Sequence, residues 1–559
     1  MLIFLVTFII MLAFQPLLKK YLPTPPAPQK INQPEQSQPA PSTAPPPVAP
    51  AVPAGVTKQA PGEAETVIEN NLYRITFTNR GAQVKSWILK KFDNDAENGP
   101  LDLVNQGAAS LYGYPLSLWT YDETLRNKLS STLYVVSREG QQSTPTTITF
   151  EYADQDLAVR KTFSFDDTYI VKIETSVTSK GSYVPALPAW PSGFGDQASP
   201  AFYSTSLIDY QFNKNIERLT FKKISGGATL PGPFHWAGPT DQYFAAVFIP
   251  DDPAATSMIT LRNPLSIARD SRKDAERTQV DVLGAAVGNL HGPTSERAFV
   301  GPKELEVLQK VPIPNVAGAD NDLNGLIDFG WWGIIAKPLF VWLKWTYRHV
   351  VPNWGWAIVI QTLIISVALL PQRVTQMKSM LKMQRVAPQI KSIQERYKKY
   401  SLRDPRKAAM NEEISALYKK EGVNPAGGCL PMLIQFPFLI AYYRMLGTAL
   451  DLRHAHFLWI KDLSAADPIF ILPILMVVSS LLTQRMTPQA GMDPQQQKLM
   501  NVMMPLMMGF IFFRLAAGLN LYYAVSNVIG IASQAVMNRT HLGQEMREMM
   551  AKRARKKDK

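Results

Sequence analysis

Polar side chains interrupt an apolar stretch in the C-terminal part of the chain. The stretch from Trp354 to Leu370 reads WGWAIVIQTLIISVALL, which is long and apolar enough to cross a bilayer. Gln361, Thr362 and Ser366 lie within it at spacings that place them on one helical face. An uncompensated polar group is costly in hydrocarbon, so such groups usually face protein or a wet cavity. The pattern predicts a membrane protein with a hydrophilic interior.

Further apolar stretches indicate the helices that would surround these side chains. Residues 1–18 form an apolar run without charge, and we expect a retained transmembrane anchor over residues 1–20. The C-terminal part adds five predicted spans, at about 354–371, 429–449, 468–485, 499–514 and 516–536. The last two are joined so closely that they predict a hairpin.

The part between anchor and spans has a different composition. Residues 21–62 are rich in proline, alanine and glutamine, which predicts a disordered linker. Residues 63–320 contain short alternating stretches typical of a β-sandwich. The clearest predicted strands are Leu72 to Phe77, Thr147 to Tyr152, Ala158 to Phe165 and Tyr169 to Val177, with a turn at Asp166-Asp167-Thr168. Residues 325–349 combine tryptophans with lysines and arginine, which favours an amphipathic helix along the membrane surface.

Basic residues predict the orientation in the membrane. The formal net charge is +13, and lysine and arginine concentrate in residues 373–425 and in the tail 541–559. The positive-inside rule therefore predicts that both segments are cytoplasmic and that residues 63–320 lie on the opposite side. Helical periodicity divides the first segment into Val374 to Tyr400 and Pro405 to Lys420, an antiparallel hairpin with one apolar and one basic side.

The basic side of this hairpin has two interpretations. It is either a solvated cap on the bundle or a contact surface for a ribosome, a nascent chain or anionic lipid. The basic tail either binds ribosomal RNA or anionic lipid through phosphate contacts or acts only as a positive-inside topology signal. The candidate contact residues are Lys378, Lys382, Arg385, Lys391, Arg396, Lys552, Arg553 and Arg555.

Catalytic and metal-binding patterns are missing from the sequence. His235 and His291 are isolated, and the pair Asp251-Asp252 lies in a turn-like context. Cys429 is the single cysteine, and there is no Cys/His zinc pattern or glycine-rich nucleotide loop. We therefore predict no enzymatic activity, no cofactor, no metal and no small-molecule substrate.

Five motifs in the C-terminal part resemble the YidC membrane protein insertase family. They occur in the family's order and spacing: DFGWWGIIAKPLFVWLKW, NWGWAIVIQTLI, ALYKKEGVNPAGGCLPMLIQFPFLIAYY, FLWIKDLSAADPIFILPILM and GLNLYYAVSN. The resemblance is close over residues 325–540. In the β-rich region it extends only to the type of domain. It implies a multi-domain membrane protein: an N-terminal anchor, a periplasmic all-β supersandwich and a five-helix transmembrane core over residues 354–540.

The resemblance also implies a function and partners. Family members insert and fold proteins of the bacterial inner membrane, alone or with the SecYEG translocon. The implied partners are nascent membrane proteins, SecYEG, the ribosome and membrane lipids. A groove open to cytoplasm and lipid lowers the desolvation cost for an entering chain, and the apolar span then partitions into lipid at about 0.8 kcal/mol per methylene.

Matching positions imply which residues line this groove. They are Gln361, Thr362, Ser366, Gln435, Tyr522 and Ser526. Ser366 departs from the family, which usually has a groove arginine at this position. Arg514 could supply the missing charge, although both Arg514 and Arg444 could simply reach lipid head groups.

Two other functions compete with the insertase hypothesis. An anchored periplasmic carbohydrate-binding or carbohydrate-active protein would need paired carboxylates or a His/Glu couple in residues 63–320, and none can be nominated. A small-molecule transporter would need an internal repeat or matched broken helices, and neither is clear.

Overall fold

The computed structural model describes most of the chain between residues 57 and 540. The described residues are 57–197, 199–268, 276–314, 321–398, 400, 404–423, 430–486, 502–540, 544 and 548. The predicted anchor, most of the predicted linker, and Cys429, Lys552, Arg553 and Arg555 lie outside them.

The β-rich region contains twenty strands within the described residues. They are β1 Glu65–Glu69, β2 Tyr73–Thr78, β3 Gln83–Asp93, β4 Pro100–Asp102, β5 Ser117–Trp119, β6 Val135–Val136, β7 Gly140–Ser143, β8 Thr146–Ala153, β9 Leu157–Phe165, β10 Ile170–Ser179, β11 Ser182–Tyr183, β12 Leu187–Trp190, β13 Leu207–Phe212, β14 Asn215–Thr220, β15 Ala228–Pro231, β16 Phe234–Thr240, β17 Phe244–Pro250, β18 Thr256–Ala268, β19 Arg277–Asn289 and β20 Thr294–Pro302. Short helices accompany them: α1 Gln106–Tyr112, α2 Glu123–Ser131, α3 Pro200–Tyr203 and α4 Leu305–Leu308.

These strands form three sheets. One has the order β4-β3-β2-β1-β7, and another has the order β15-β18-β19-β12-β5. The largest runs β14-β13-β16-β17-β20-β10-β9-β8-β6, with β11 paired to β10. Buried aromatic side chains, including Trp87, Trp190 and Trp236, fill the core. Burial of this apolar surface is the main stabilising contribution to such a layered fold.

The predicted strands are confirmed with small shifts at their ends. The alternation in β9 places Leu157, Val159, Phe163 and Phe165 inside, as a half-buried strand requires. β9 and β10 pair antiparallel with Val171 opposite Phe165, so Asp166, Asp167 and Thr168 form the predicted turn. The Asp166 carboxylate accepts a hydrogen bond from the Thr168 backbone N–H, which explains the turn signal.

A buried carboxyl group makes the stability of this β domain pH-dependent. Glu296 on β20 is fully buried, and neither carboxyl oxygen has a hydrogen-bond partner among the described residues. Burial, followed by the nearby charge of Asp251, raises the pKa of Glu296 well above its usual value. The folded protein therefore keeps a proton that the unfolded chain loses near pH 4 to 5.

We expect the free energy of unfolding to fall as pH rises above this range, by up to about 1.4 kcal/mol per pH unit. Glu296→Gln should remove the part of this decrease in the free energy of unfolding that the Glu296 carboxyl group causes. Denaturant unfolding of the intact protein between pH 5 and pH 8 measures it. Glu174→Gln, at a half-exposed ion pair with Lys172, is the matched control and should keep the wild-type slope. An unchanged slope in Glu296→Gln would contradict the prediction.

Eight longer helices lie in the described part after the β domain. They are α5 Gly333–His349, α6 Trp354–Ala368, α7 Leu370–Arg396, α8 Arg406–Lys420, α9 Leu430–Thr448, α10 Ile471–Met486, α11 Met504–Phe512 and α12 Ala517–Arg539. The helix predicted over 325–349 begins only at Gly333, because a 3-10 turn occupies Leu323–Leu326 and Gly330 has a left-handed backbone. The other helices predicted between residues 354 and 536 are present in the described part, with shifted ends.

The basic hairpin consists of α7 and α8. Val386 and Ile390 of α7 pack with Ile414 and Leu417 of α8, as the periodicity predicts. The Arg396 guanidinium also pairs with the Glu413 carboxylate across the hairpin. The side chains of Met377, Met380 and Leu381, also predicted on the apolar side, lie outside the described part.

Across the described residues, no helix combines the length and the apolar character that crossing a membrane requires.

Candidate functional site

Three helices bring the predicted groove residues together. Asn353 caps α6, since its side-chain oxygen accepts a hydrogen bond from the Trp356 N–H at 3.1 Å. One face of α6 then presents Gln361, Thr362 and Ser366. α12 packs against α6, and α9 also contacts α12. The predicted Tyr522 and Ser526 lie one turn apart on α12, so both are buried on the same face.

Hydrogen bonds join these side chains to one another and to the backbone. The Gln361 amide donates to the carbonyl oxygen of Leu339 at 2.9 Å. Its oxygen accepts a hydrogen bond from the Tyr442 hydroxyl of α9. The Thr362 hydroxyl donates to the carbonyl oxygen of Ile358 at 2.6 Å. Gln361 therefore ties α6 to α5 and α9 simultaneously, which compensates its buried amide.

A stacked tyrosine pair joins α9 to α12. The rings of Tyr442 and Tyr522 lie 4.1 Å apart between centroids, with an angle of 19° between their planes. Tyr523 meets Tyr522 edge-on at 5.7 Å. Such pairs contribute about 0.5–1.5 kcal/mol beyond the burial of their surface. We refer to Gln361, Thr362, Tyr442 and Tyr522 as the polar cluster.

The polar cluster is closed rather than open to water. Gln361 and Thr362 are fully buried, and Ser366, Tyr522 and Ser526 are 4%, 4% and 8% exposed. The sequence predicts that these residues line a wet groove, whereas the structure buries them, and the Gln361 and Thr362 side chains form hydrogen bonds to Tyr442 and to backbone carbonyl oxygens. Apolar residues of the opposite α6 face, including Leu363 and Val367, are about half exposed. Gln435 lies on α9, but its side chain is not among those described.

Sequence reasoning missed two asparagines that tie the helices together. Asn520 is fully buried and donates to the carbonyl oxygens of Phe512 at 3.1 Å and Leu515 at 3.2 Å, which closes the predicted hairpin between α11 and α12. Asn527 donates to the hydroxyls of Ser479 and Ser480 on α10. Their seven-residue spacing along α12 is the signal that could have identified them.

Sequence reasoning also missed a cation beside the polar cluster. Arg373 was assigned only to the basic hairpin, but it lies against α12. A Cβ atom added to Gly530, which lies about two turns beyond Tyr522 on α12, would be 3.2 Å from an Arg373 nitrogen. Backbone hydrogen bonds from Leu369 to Ile365 and from Arg373 to Leu369 keep the chain helical here. Arg373 therefore follows Ser366 by two helical turns on a similar face.

The two arginines considered for the missing charge lie elsewhere. Arg514 is exposed in the turn between α11 and α12, with its guanidinium 6.0 Å from the Phe510 ring centre. Arg444 of α9 comes within 4.0 Å of the Asp328 carboxylate, so it faces protein rather than only lipid head groups. Neither residue has a described contact with the polar cluster.

The candidate contact residues of the hairpin are exposed. Lys378, Lys382, Arg385, Lys391 and Arg396 all lie at the surface of α7. Lys391 is 3.6 Å from Glu395, one turn away, and Arg396 pairs with Glu413. The hairpin thus presents an exposed basic surface.

The fold and the polar cluster define a two-part protein, in which an all-β domain is joined to a helical region with a polar interior. The YidC periplasmic domain family matches residues 65–342, and the 60Kd inner membrane protein family matches residues 345–544. The chain belongs to the YidC membrane protein insertase family.

Individual relatives resemble the chain over most of its length. The membrane protein insertase YidC of Syntrophus aciditrophicus is 30% identical and covers 92% of each chain. The YidC of Cupriavidus taiwanensis is 35% identical over 70% of this chain and 67% of its own. A crystal structure of an active YidC insertase, with its first transmembrane domain resolved, is similar at 20% identity with a TM-score of 0.36. It covers 87% of this chain and 95% of its own.

Proposed function

We propose that this protein inserts segments of other proteins into the bacterial inner membrane and assists their folding. The observation that carries the proposal is the polar cluster, in which hydrogen-bonding side chains are enclosed between helices and α6 exposes apolar side chains on its other face. The names of the relatives favour the insertase over the carbohydrate-directed alternative. The proposed process transfers a protein segment into lipid without a chemical reaction, so no catalytic residue or cofactor is proposed.

The proposed mechanism begins with opening of the cluster. Separating the Tyr442–Tyr522 stack and the Tyr442–Gln361 hydrogen bond would expose hydroxyl and amide groups between α6, α9 and α12. These groups would replace water around the polar tail of an entering chain and lower its desolvation cost. The apolar span of the client would then move into lipid, which is favourable by about 0.8 kcal/mol per buried methylene. Closing of the cluster would release the client.

Arg373 is proposed as the cation of this site. It lies two turns beyond Ser366 and beside Gly530 of α12, about two turns along that helix from Tyr522. A positive charge there would attract an acidic client tail, and low-dielectric surroundings strengthen such attraction. Arg514 is exposed beyond the opposite end of α12 and is therefore the weaker candidate.

The proposed topology follows the distribution of basic residues. The β domain would be periplasmic, and the basic hairpin and tail would be cytoplasmic. The exposed basic surface of α7 would contact the ribosome or anionic lipid, and nascent membrane proteins would be the clients. Cooperation with the SecYEG translocon is part of the proposal. No small-molecule substrate is proposed.

Photo-crosslinking from the cluster tests the function. A photoreactive amino acid at Thr362, Gln435 or Tyr522 should crosslink to a ribosome-stalled nascent membrane protein, because the client passes between α6, α9 and α12. The same probe at Leu111, an exposed residue of the β domain, is the control and should give only background. Equal yields from all four positions would overturn the proposal.

A further inference from the structure

The loop between α9 and α10, residues 449–467, contacts both parts of the described structure. Four of its apolar side chains turn inward, since Leu452, Phe457, Ile460 and Leu463 are buried, whereas Leu458 is exposed. Two of its residues, His454 and Leu458, have left-handed backbones with φ of +57° and +53°. Such conformations are unfavourable for residues other than glycine, so the surroundings must hold them.

On one side the loop covers the N-terminal ends of the two helices that carry most of the polar cluster. The first N–H groups of a helix have no partner within the helix. In α12, Ala517 donates its N–H to the carbonyl oxygen of Ala465 at 2.6 Å, and Gly518 donates to that of Leu463 at 2.8 Å. At the start of α6, the Asn353 amide donates to the carbonyl oxygen of His456 at 3.1 Å.

On the other side an arginine attaches the loop to the β domain. The Arg453 side chain is only 5% exposed. Its guanidinium donates to the carbonyl oxygen of Asp93 and to the carboxylate of Asp95, each at 2.8 Å. Both acceptors lie at the end of β3 or directly after it. The guanidinium also lies 5.8 Å from the ring centre of Phe244 at the start of β17.

Two further contacts reinforce this attachment. Lys344 of α5 is largely buried and lies 3.0 Å from the Asp451 carboxylate of the loop and 3.5 Å from Glu306 of α4. The Gln242 amide, in the turn between β16 and β17, donates to the carbonyl oxygen of Gly447 at 2.8 Å. The β domain therefore holds the loop and the adjacent end of α9 at several points.

We propose that the 449–467 loop is a plug over the N-terminal ends of α6 and α12, and that the β domain holds it closed through the Arg453–Asp95 pair. The Arg453 side chain is almost fully buried, so removing the Asp95 carboxylate takes away the charged group that it contacts, which is unfavourable. Loss of Asp95 would therefore weaken the hold of the β domain on Arg453 and on the loop. The inference rests on the proposed function only in assigning this end of the helices to the periplasmic side.

Hydrogen exchange of the intact protein in detergent tests the attachment. In Asp95→Asn and in the independent variant Arg453→Gln, amides of residues 449–467 and 517–520 should exchange about tenfold faster than in wild type. Amides of β8, β9 and β10 should be unchanged, which verifies that the β domain is folded. Arg74→Gln, at a half-exposed pair with Glu69, is the control and should leave the loop unaffected. Wild-type exchange of the loop in both variants would overturn the proposal.

Cysteine labelling tests whether the 449–467 loop blocks access to the buried face of α12. With Cys429→Ser as background, the chain has no other cysteine, and Ser526→Cys then reports access to the buried face of α12. An impermeant maleimide added from the β-domain side should label this cysteine faster when Asp95→Asn is present. Exchanging the charges, Asp95→Arg with Arg453→Asp, should restore slow labelling. Unchanged labelling would overturn the plug. Loss of insertion activity with an intact plug would count against the proposed function alone.

Discussion

Arg373→Gln should reduce the insertion of client proteins with acidic tails by about tenfold, with little effect on clients with neutral tails. The guanidinium lies beside Gly530 of α12 and Arg373 follows Ser366 of α6 by two turns, so its charge would face a chain that enters between these two helices. At an effective dielectric constant near 20, two unit charges about 8 Å apart attract by about 2 kcal/mol. Salt screens part of this attraction. A remaining attraction of about 1.4 kcal/mol corresponds to the expected tenfold change in insertion.

Insertion of matched client pairs into inverted membrane vesicles measures the effect. The pairs differ only in replacing aspartates of the translocated tail by asparagines. Arg373→Lys should recover most of the activity because it keeps the charge. Arg514→Gln is the matched control, because this arginine is exposed in the turn between α11 and α12. A larger loss in Arg514→Gln, or an equal loss for both clients of a pair, would refute the assignment of Arg373.

Lys161→Ala should destabilise the β domain by about 3 kcal/mol at pH 9. Lys161 of β9 is fully buried, and its side-chain nitrogen lies 3.2, 2.5 and 2.7 Å from the carbonyl oxygens of Gly81, Ala82 and Leu116. These bonds tie the turn between β2 and β3 to the residue before β5. Truncation leaves a cavity and three carbonyl oxygens without this donor.

Denaturant unfolding of the intact protein, followed by tryptophan fluorescence, measures this loss. Lys172→Ala removes a half-exposed lysine from the neighbouring strand and should change the free energy of unfolding by less than about 0.5 kcal/mol. If Lys161→Ala were equally mild, the contacts of the Lys161 nitrogen with these carbonyl oxygens would not be stabilising the fold.

The same lysine makes the stability rise at alkaline pH. Burial lowers the pKa of Lys161 to about 7, from an ordinary value of 10.5. Between these two values the unfolded chain binds a proton that the folded protein has released. The free energy of unfolding therefore increases with pH, by up to about 1.4 kcal/mol per pH unit. Lys161→Met keeps most of the side-chain volume. It should remove the part of the increase in the free energy of unfolding between pH 7 and pH 9 that Lys161 causes.

Local patterns predicted much of the fold correctly. The alternation in β8, β9 and β10 and the turn at Asp166 follow from two-residue periodicity. The facing sides of α7 and α8 follow from helical periodicity. Such patterns are readable because they depend only on neighbours within a few residues along the chain. The start of the helix at Gly333 was misplaced because apolar and aromatic residues continue through the preceding turn.

Sequence motifs and patterns predict the insertase family, the division into a β-rich and a helical part, and the polar side chains on one face of α6. The three-dimensional arrangement shows how those side chains are bonded: Gln361 reaches Leu339 and Tyr442, and the cluster is closed. It also paired Arg453 with Asp95, 358 positions away, and placed Arg373 against α12. The physical reason is that hydrogen bonds and ion pairs depend on distances of a few ångströms. Chain topology sets those distances between remote residues, and local periodicity carries no information about them.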